Sequence, residues 1–114
     1  MPNVFRLDPH DAKMGLLSPY LAQRIERYAQ AYQPELVAAE YASAVLAKLW
    51  ISDPTILAFV IVDPDTAVLL GHCLAVVERF GTRSHIEITQ LQADQNVGDA
   101  RYQALDHVLG WAKE

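Results

Sequence analysis

The pattern of apolar and polar residues in the second half of the chain predicts three long strands. Ile56–Val62 is apolar and rich in β-branched residues, as expected of a strand covered on both faces. Val68–Val77 follows the turn-forming residues Asp63–Thr66, so these two strands are predicted to form a hairpin. His85–Leu91 alternates apolar and polar residues, which predicts the third strand. Gly71 inside the second strand indicates a bulge or a close approach of another backbone.

The first half of the chain and its last segment have helical periodicity, apart from a short first strand at Val4–Leu7. Ser18 followed by Pro19 predicts a helix start, because a hydroxyl N-cap precedes proline at the first helical position. Pro34 is predicted to start a second helix, and a last helix is predicted from about Asp99. The apolar residues that share a face are Leu21, Ile25, Tyr28 and Tyr32 in the first helix, Tyr41, Val45 and Leu49 in the second, and Ala104, Leu105, Val108 and Leu109 in the last.

The predicted order of elements is therefore β-α-α-β-β-β-α. Strands too apolar to face water require a layer of helices, so the fold class is α+β, with a central antiparallel sheet flanked by helices. The chain of 114 residues is long enough for one core, and we expect residues 1–114 to form a single domain.

Composition and charge narrow the functional classes. The formal net charge of −5 argues against binding to nucleic acid or to an anionic membrane, since both require a basic surface. The only cysteine, Cys73, excludes an internal disulfide, and one thiol with four scattered histidines gives no metal-ligand spacing. No signal peptide and no apolar run of membrane-spanning length is present, so we expect a cytoplasmic protein.

One short motif lies between the third predicted strand and the last helix. It follows the pattern Gln/Arg-x-x-Gly-x-Gly/Ala and consists of Gln95, Asn96, Val97, Gly98, Asp99 and Ala100. With the order of elements and the glycine at position 71, this motif resembles the N-terminal two thirds of the GNAT (Gcn5-related N-acetyltransferase) family. The resemblance implies that these six residues bind the diphosphate of acetyl-coenzyme A through backbone N–H groups at the start of a helix.

The motif also has a simpler interpretation as a strand-to-helix turn. Asp99 is a good N-cap residue, so its carboxylate competes for the N–H groups that a diphosphate would use. No lysine or arginine occurs between Arg83 and Arg101, while Asp94 directly precedes the motif and Asp99 lies within it. We therefore interpret the motif as an inherited phosphate loop that serves mainly as a helix start.

The resemblance points to one candidate catalytic residue. Glu87 on the third long strand occupies a position where many GNAT enzymes have a general base for the substrate amine. The alternative is a solvent-facing residue in a strand of period two, between Ile86 and Ile88. Trp111, close to the chain's last residue, is a candidate contact with another subunit.

Two functions follow from these observations. GNAT enzymes normally continue beyond Glu114 with a strand that splays away to admit the cofactor, then a helix and two more strands. The first expectation is therefore a non-catalytic binding or assembly module, completed by a protein partner or by self-association, that requires no cofactor. The segment Glu87–Asp94 is similar to sequences of small phage-encoded GNAT-like proteins, which implies a phage virion component in the host cytoplasm or the virion. The alternative is an acetyl-CoA-dependent N-acetyltransferase whose missing part is supplied by another chain.

Overall fold

The structure, a computed structural model, describes residues 2–112, and Met1, Lys113 and Glu114 of the predicted domain lie outside the described residues. Its elements follow the predicted order, with one short 3-10 turn added before the last helix. The elements are β1 (Asn3–Arg6), α1 (Ala12–Tyr32), α2 (Ala38–Trp50), β2 (Ile56–Val62), β3 (Leu69–Phe80), β4 (Arg83–Ala93), the 3-10 turn (Gln95–Val97) and α3 (Ala100–Ala112).

The four strands form one antiparallel sheet in the order β1-β2-β3-β4. Every residue of β2 is buried, because this strand lies between two neighbours and has helices over both faces. The α+β class, with a central antiparallel sheet flanked by helices, is therefore confirmed.

Two apolar clusters hold the layers together, one on each face of the sheet. The larger cluster joins α1 and α2 to one face, and the smaller joins α3 to the other. Alternation along β2 divides its side chains between the two, since Ala58 and Val60 belong to the first cluster and Leu57 and Phe59 to the second.

The predicted start of the first helix at Ser18 is wrong. The helix begins at Ala12, where the Asp11 carboxylate caps it by accepting a hydrogen bond from Lys13 N at 2.9 Å. Pro19 lies inside α1 on its exposed side, so water can satisfy the carbonyl group that the proline leaves without a donor. Met14 and Leu17 are buried, and their packing on the sheet extends the helix toward the N-terminus.

The predicted start of the second helix at Pro34 is also wrong by one turn. Gln33 ends α1 through a hydrogen bond from its N–H to Ala29 O, and Pro34–Leu36 form a turn before α2 begins at Ala38. The last two strands are longer than predicted, since β3 continues to Phe80 and β4 begins at Arg83. Mutual pairing extends these strands into polar residues whose pattern gives no strand signal.

Two irregularities interrupt the sheet register. Val62 pairs with Leu69 while Ile61 pairs with Gly71, and a Cβ atom placed on Gly71 would overlap Gln92 O of β4. The predicted close backbone approach at Gly71 is therefore confirmed. In the second irregularity, Leu74 pairs with Gln90 and Ala75 with Ile88, which leaves Thr89 as a bulge in β4.

Candidate functional site

The predicted phosphate motif forms a compact connection between β4 and α3. Asp94 is extended, Gln95–Val97 form the 3-10 turn, and Gly98 returns to right-handed helical angles before α3 begins at Ala100. The hydrogen bond from Val97 N to Asp94 O, at 2.9 Å, closes the turn. The 3-10 turn and the two residues after it thus lead directly from β4 to the N-terminus of a 13-residue helix.

Two N–H groups in the first turn of this helix have backbone acceptors that precede them in sequence. Arg101 N donates to Gly98 O at 3.3 Å and Tyr102 N to Asp99 O at 3.1 Å. Both N–H groups therefore donate to backbone carbonyl oxygens, and the Asp99 carboxylate accepts neither of them. The expected competition from Asp99 as an N-cap does not occur in this structure. The first N–H groups of α3 and the positive end of its dipole therefore form the end of the helix that an anion would approach.

Gly98 keeps the approach to these donors open. Its φ of −52° is ordinary for any residue, and an added Cβ atom would meet nothing closer than Gln95 O, at 3.7 Å. The fold therefore does not need glycine at this position. The lack of a side chain leaves space above the backbone, as binding of a diphosphate requires.

The motif lines a surface cavity of about 390 Å³. Pro2 and Gln103 complete the walls, so the cavity lies between the start of the chain and the first turns of α3. Ala100 is buried, and its small side chain lets the helix start lie against the sheet. The residues that line the cavity are Pro2, Gln95, Asn96, Val97, Gly98, Asp99, Ala100 and Gln103.

Two cations lie at the motif, although sequence reasoning found none nearby. Arg24 on α1 forms a bidentate ion pair with Asp94, with N–O distances of 3.1 and 3.2 Å. Arg101 Nε donates to Gly98 O at 3.1 Å, and its side chain is exposed. Arg24 therefore compensates the carboxylate that precedes the motif, and Arg101 holds its guanidinium group against Gly98, one of the residues that line the cavity. No local sequence signal could have identified Arg24, which is 70 residues from Asp94.

Glu87 lies elsewhere, on the part of β4 that precedes the bulge. It pairs with Val76 and is exposed, on the sheet face covered by α1 and α2. Asp94 is seven positions further along the chain than Glu87, which is about 23 Å of extended strand. The structure therefore does not bring Glu87 together with Gln95–Ala100. Glu87 lies within β4, and the motif follows the end of that strand.

A buried polar network fixes the bulge between these two places. Gln33 Nε2 donates to Thr89 O at 3.1 Å, and Gln90 Nε2 donates to Gln33 Oε1 at 2.9 Å and to Ile25 O at 3.2 Å. Because both Gln90 donors are used in this way, its Oε1 accepts from His72 Nε2 at 2.8 Å. Gln33 and Gln90 were missed in the sequence, since glutamines in a helix end and a strand have no distinctive spacing.

Burial is the main cause of the shifted pKa values of His72 and Cys73, which are neighbours on β3. It lowers the pKa of His72 to about 4, against a smaller opposing effect of the hydrogen bond with Gln90. It raises the pKa of the Cys73 thiol to about 11, so this thiol is not a nucleophile near neutral pH. His72 Nδ1 is buried without a hydrogen-bond partner among the described residues.

Trp111 is partly buried and packs against the smaller apolar cluster, which joins α3 to the sheet. The Arg79 guanidinium lies 5.8 Å from the centroid of its ring. It lines a cleft of about 550 Å³ together with Phe5 and Phe59. Its role as a contact with another subunit stays a prediction.

Residues 2–112 contain no cluster of three or more His, Cys, Asp or Glu side chains that could hold a metal ion. Among the helices in that same range, none combines the length and the apolar character that crossing a membrane demands.

Comparison with solved structures identifies the fold. No family model matches the sequence, and neither does any curated protein. Among solved structures, a probable acetyltransferase superposes with a TM-score of 0.66 at 11% identity, over 97% of this chain and 73% of the other. An aminoglycoside acetyltransferase from an uncultured soil metagenomic sample gives 0.59 at 18% identity, over 99% and 74% of the two chains. Glucosamine-6-phosphate N-acetyltransferase from Arabidopsis thaliana gives 0.53 at 13% identity, over 98% and 77%.

These similarities extend over nearly the whole chain, and at this level of identity they establish the fold. The protein has the fold of the GNAT acetyltransferases, as the order of its elements predicts. Activity is a property of the site and does not follow from the fold.

Proposed function

We propose that this protein is a GNAT-fold binding module that takes the diphosphate of acetyl-coenzyme A at Gln95–Ala100. In this proposal its sheet is completed along β4 by another strand. The observation that carries the first part is the cavity of about 390 Å³ that Gln95–Ala100 line at the N-terminus of α3, a position at which backbone N–H groups point outward. Donors in this position are a ready site for phosphate, because the helix dipole adds to their partial positive charge.

Three other groups would contribute to binding. Gly98 lets phosphate oxygens approach the backbone, and the exposed Arg101 guanidinium offers a charge-assisted hydrogen bond. Asp94 repels a diphosphate less than its charge suggests, because Arg24 is paired with it. Bound coenzyme would supply an activated acyl group on its pantetheine arm.

We propose that the module does not itself catalyse acyl transfer. The Glu87 carboxylate is exposed and makes no hydrogen bond with the described residues, so nothing orients it toward an amine. The similarity of Glu87–Asp94 to phage-encoded sequences makes a virion or its assembly intermediates the setting in which to look for a partner.

Calorimetric titration with acetyl-coenzyme A tests the binding site. We expect micromolar affinity for the wild-type protein and at least a tenfold loss in Gly98→Ala, because the added methyl group fills the space above the donors without disturbing the fold. Gly15→Ala, on an exposed side of α1 where a Cβ meets nothing, is the matched control and should bind normally. The absence of heat of binding in the wild-type protein, or equal affinity in both variants, would refute the proposal.

The second candidate is an acetyl-CoA-dependent N-acetyltransferase with the rest of its site supplied by another chain. The position of Glu87 favours it. This residue lies in the edge strand β4, two residues before the bulge, and its carboxylate is exposed. Transfer of acetyl groups to a panel of amines should then be detectable. Glu87→Gln should lower kcat by roughly 10²-fold or more and remove the acidic limb of its pH profile, since that limb reports protonation of the base, while Glu78→Gln should leave both unchanged. No transfer by the wild-type protein would leave the binding module as the function.

A further inference from the structure

The outer edge of β4 carries free backbone groups along its first half. Val77 N donates to Thr55 O at 2.7 Å, so the backbone groups of Val77 point toward β2 and away from β4. Its partner Ile86 therefore forms a non-hydrogen-bonded pair with it, and the N–H and C=O of Ile86 point outward. By the two-residue period of a strand, those of Ser84 and Ile88 do so as well.

No other strand among residues 2–112 pairs with this edge. Three consecutive sets of outward donors and acceptors form a template for a further strand. The side chains around them decide which strand fits.

The side chains of this segment are complementary to a second copy of the same segment. Arg83 and Glu87 lie on either side of His85, each two residues away, and all three side chains are exposed on the same face. In an antiparallel pair centred on His85, Arg83 of each copy lies opposite Glu87 of the other. The same alignment brings the outward backbone groups of Ser84 opposite those of Ile86.

We propose that Arg83–Glu87 pairs antiparallel with the same segment of a second copy, with the two-fold axis at His85. The pairing joins two sheets into one of eight strands and makes two Arg83–Glu87 ion pairs across the interface. On the other face, the half-buried Ile86 and Ile88 bring apolar surface to the joint. This inference rests on the part of the proposed function in which another strand completes the sheet.

The bulge separates this interface from the phosphate motif. Thr89 interrupts the regular edge, and Gln95–Ala100 lie beyond the far end of β4. Dimer formation therefore leaves the cavity at the motif open, so coenzyme binding and association can be measured separately.

Charge reversal tests the pairing. By analytical ultracentrifugation we expect a reversible dimer, and Arg83→Glu or Glu87→Arg alone should each weaken it by roughly tenfold. The double variant Arg83→Glu/Glu87→Arg restores opposite charges and should recover the dimer. Glu78→Arg is the matched control, since Glu78 is exposed on β3 on the same face and outside the proposed pairs. A monomeric wild-type protein, or a double variant as weak as the single ones, would overturn the proposal.

A disulfide test determines the register. His85 on the axis lies opposite its own copy, so His85→Cys should form an intermolecular disulfide under mild oxidation, whereas Glu87→Cys should not. The native Cys73 is buried and does not interfere. Cross-linking of Glu87→Cys in preference to His85→Cys would rule out this axis. Coenzyme titration of the same variants distinguishes failure of this pairing from failure of the binding site, since affinity for acetyl-coenzyme A should stay unchanged.

Discussion

Arg24 on α1 and Asp94 at the start of the phosphate motif form a two-point ion pair between residues 70 positions apart in sequence. The same guanidinium group donates to Gln92 Oε1 and to Leu69 O, both at 2.8 Å. One side chain therefore ties the first helix to the start of β3, to the end of β4 and to the residue from which the motif begins. Through this contact α1 positions a site to which it contributes no backbone.

Arg24→Ala should lower both stability and coenzyme affinity. The free energy of unfolding should fall by about 1–2 kcal/mol, because three acceptors lose a charged donor while the Asp94 side chain is still 39% exposed to water. Chemical denaturation measures the first effect and calorimetry the second. Arg27→Ala, at an exposed position on the same helix, is the control, and equal effects in both variants would contradict the role of Arg24.

Asp99→Asn should affect stability and binding in opposite directions. Loss of a carboxylate from the start of α3 should cost about 0.3–1 kcal/mol in unfolding free energy, since negative charge is favourable there. Affinity for acetyl-coenzyme A should rise roughly fivefold, because the diphosphate no longer meets that charge. Asp106→Asn, exposed further along α3, should change neither quantity much. Weaker binding in Asp99→Asn would show that the carboxylate assists the ligand.

His72 should make the protein sensitive to mild acid. The unfolded chain takes up a proton near pH 6.5, whereas burial holds the folded pKa at about 4. The unfolded state thus binds more protons between these values, so stability is full above pH 6.5 and falls by about 3 kcal/mol as the pH drops to 4.

Urea unfolding at several pH values measures this loss, and His72→Gln should remove most of it. His85→Gln, which changes an exposed histidine, should retain it. Direct titration of the His72 ring by NMR provides a second measurement should His72→Gln not fold. A His72 pKa near 6.5 would contradict the prediction.

Gly71→Ala should be strongly destabilising. The new methyl group would overlap Gln92 O and lie 2.9 Å from Ala93 Cα, and both belong to the backbone of a paired strand. Either β4 shifts or its register changes, at a cost of about 1–3 kcal/mol or more. Thermal unfolding checks this, with Gly15→Ala in the interior of α1 as a control that should gain roughly 0.5–1 kcal/mol. An unchanged melting temperature for Gly71→Ala would argue against the register of β3 and β4.

The local sequence pattern was sufficient to predict the limits of an element wherever one physical signal dominated. Ile56–Val62 was predicted with its correct limits, because an unbroken apolar run between turn residues has one good solution. The start of α1 was predicted incorrectly, since Ser18-Pro19 and Asp11 both carry helix-start chemistry and only packing of Met14 and Leu17 on the sheet decides between them. The position of the phosphate motif was predictable from its spacing, whereas the lack of a cap from the Asp99 carboxylate was not.

The sequence by itself determined the order of elements, the two-sided burial of the sheet and the location of Gln95–Ala100, because these depend on periodicity and turn chemistry over a few residues. Tertiary structure decided the bulge at Thr89, the pairing of Arg24 with Asp94 and the cavity between Pro2 and the start of α3. Each of these depends on register or on contacts between distant segments. A shift of one residue in β4 would move every polar side chain of the strand to the other face of the sheet, and no local pattern carries that information.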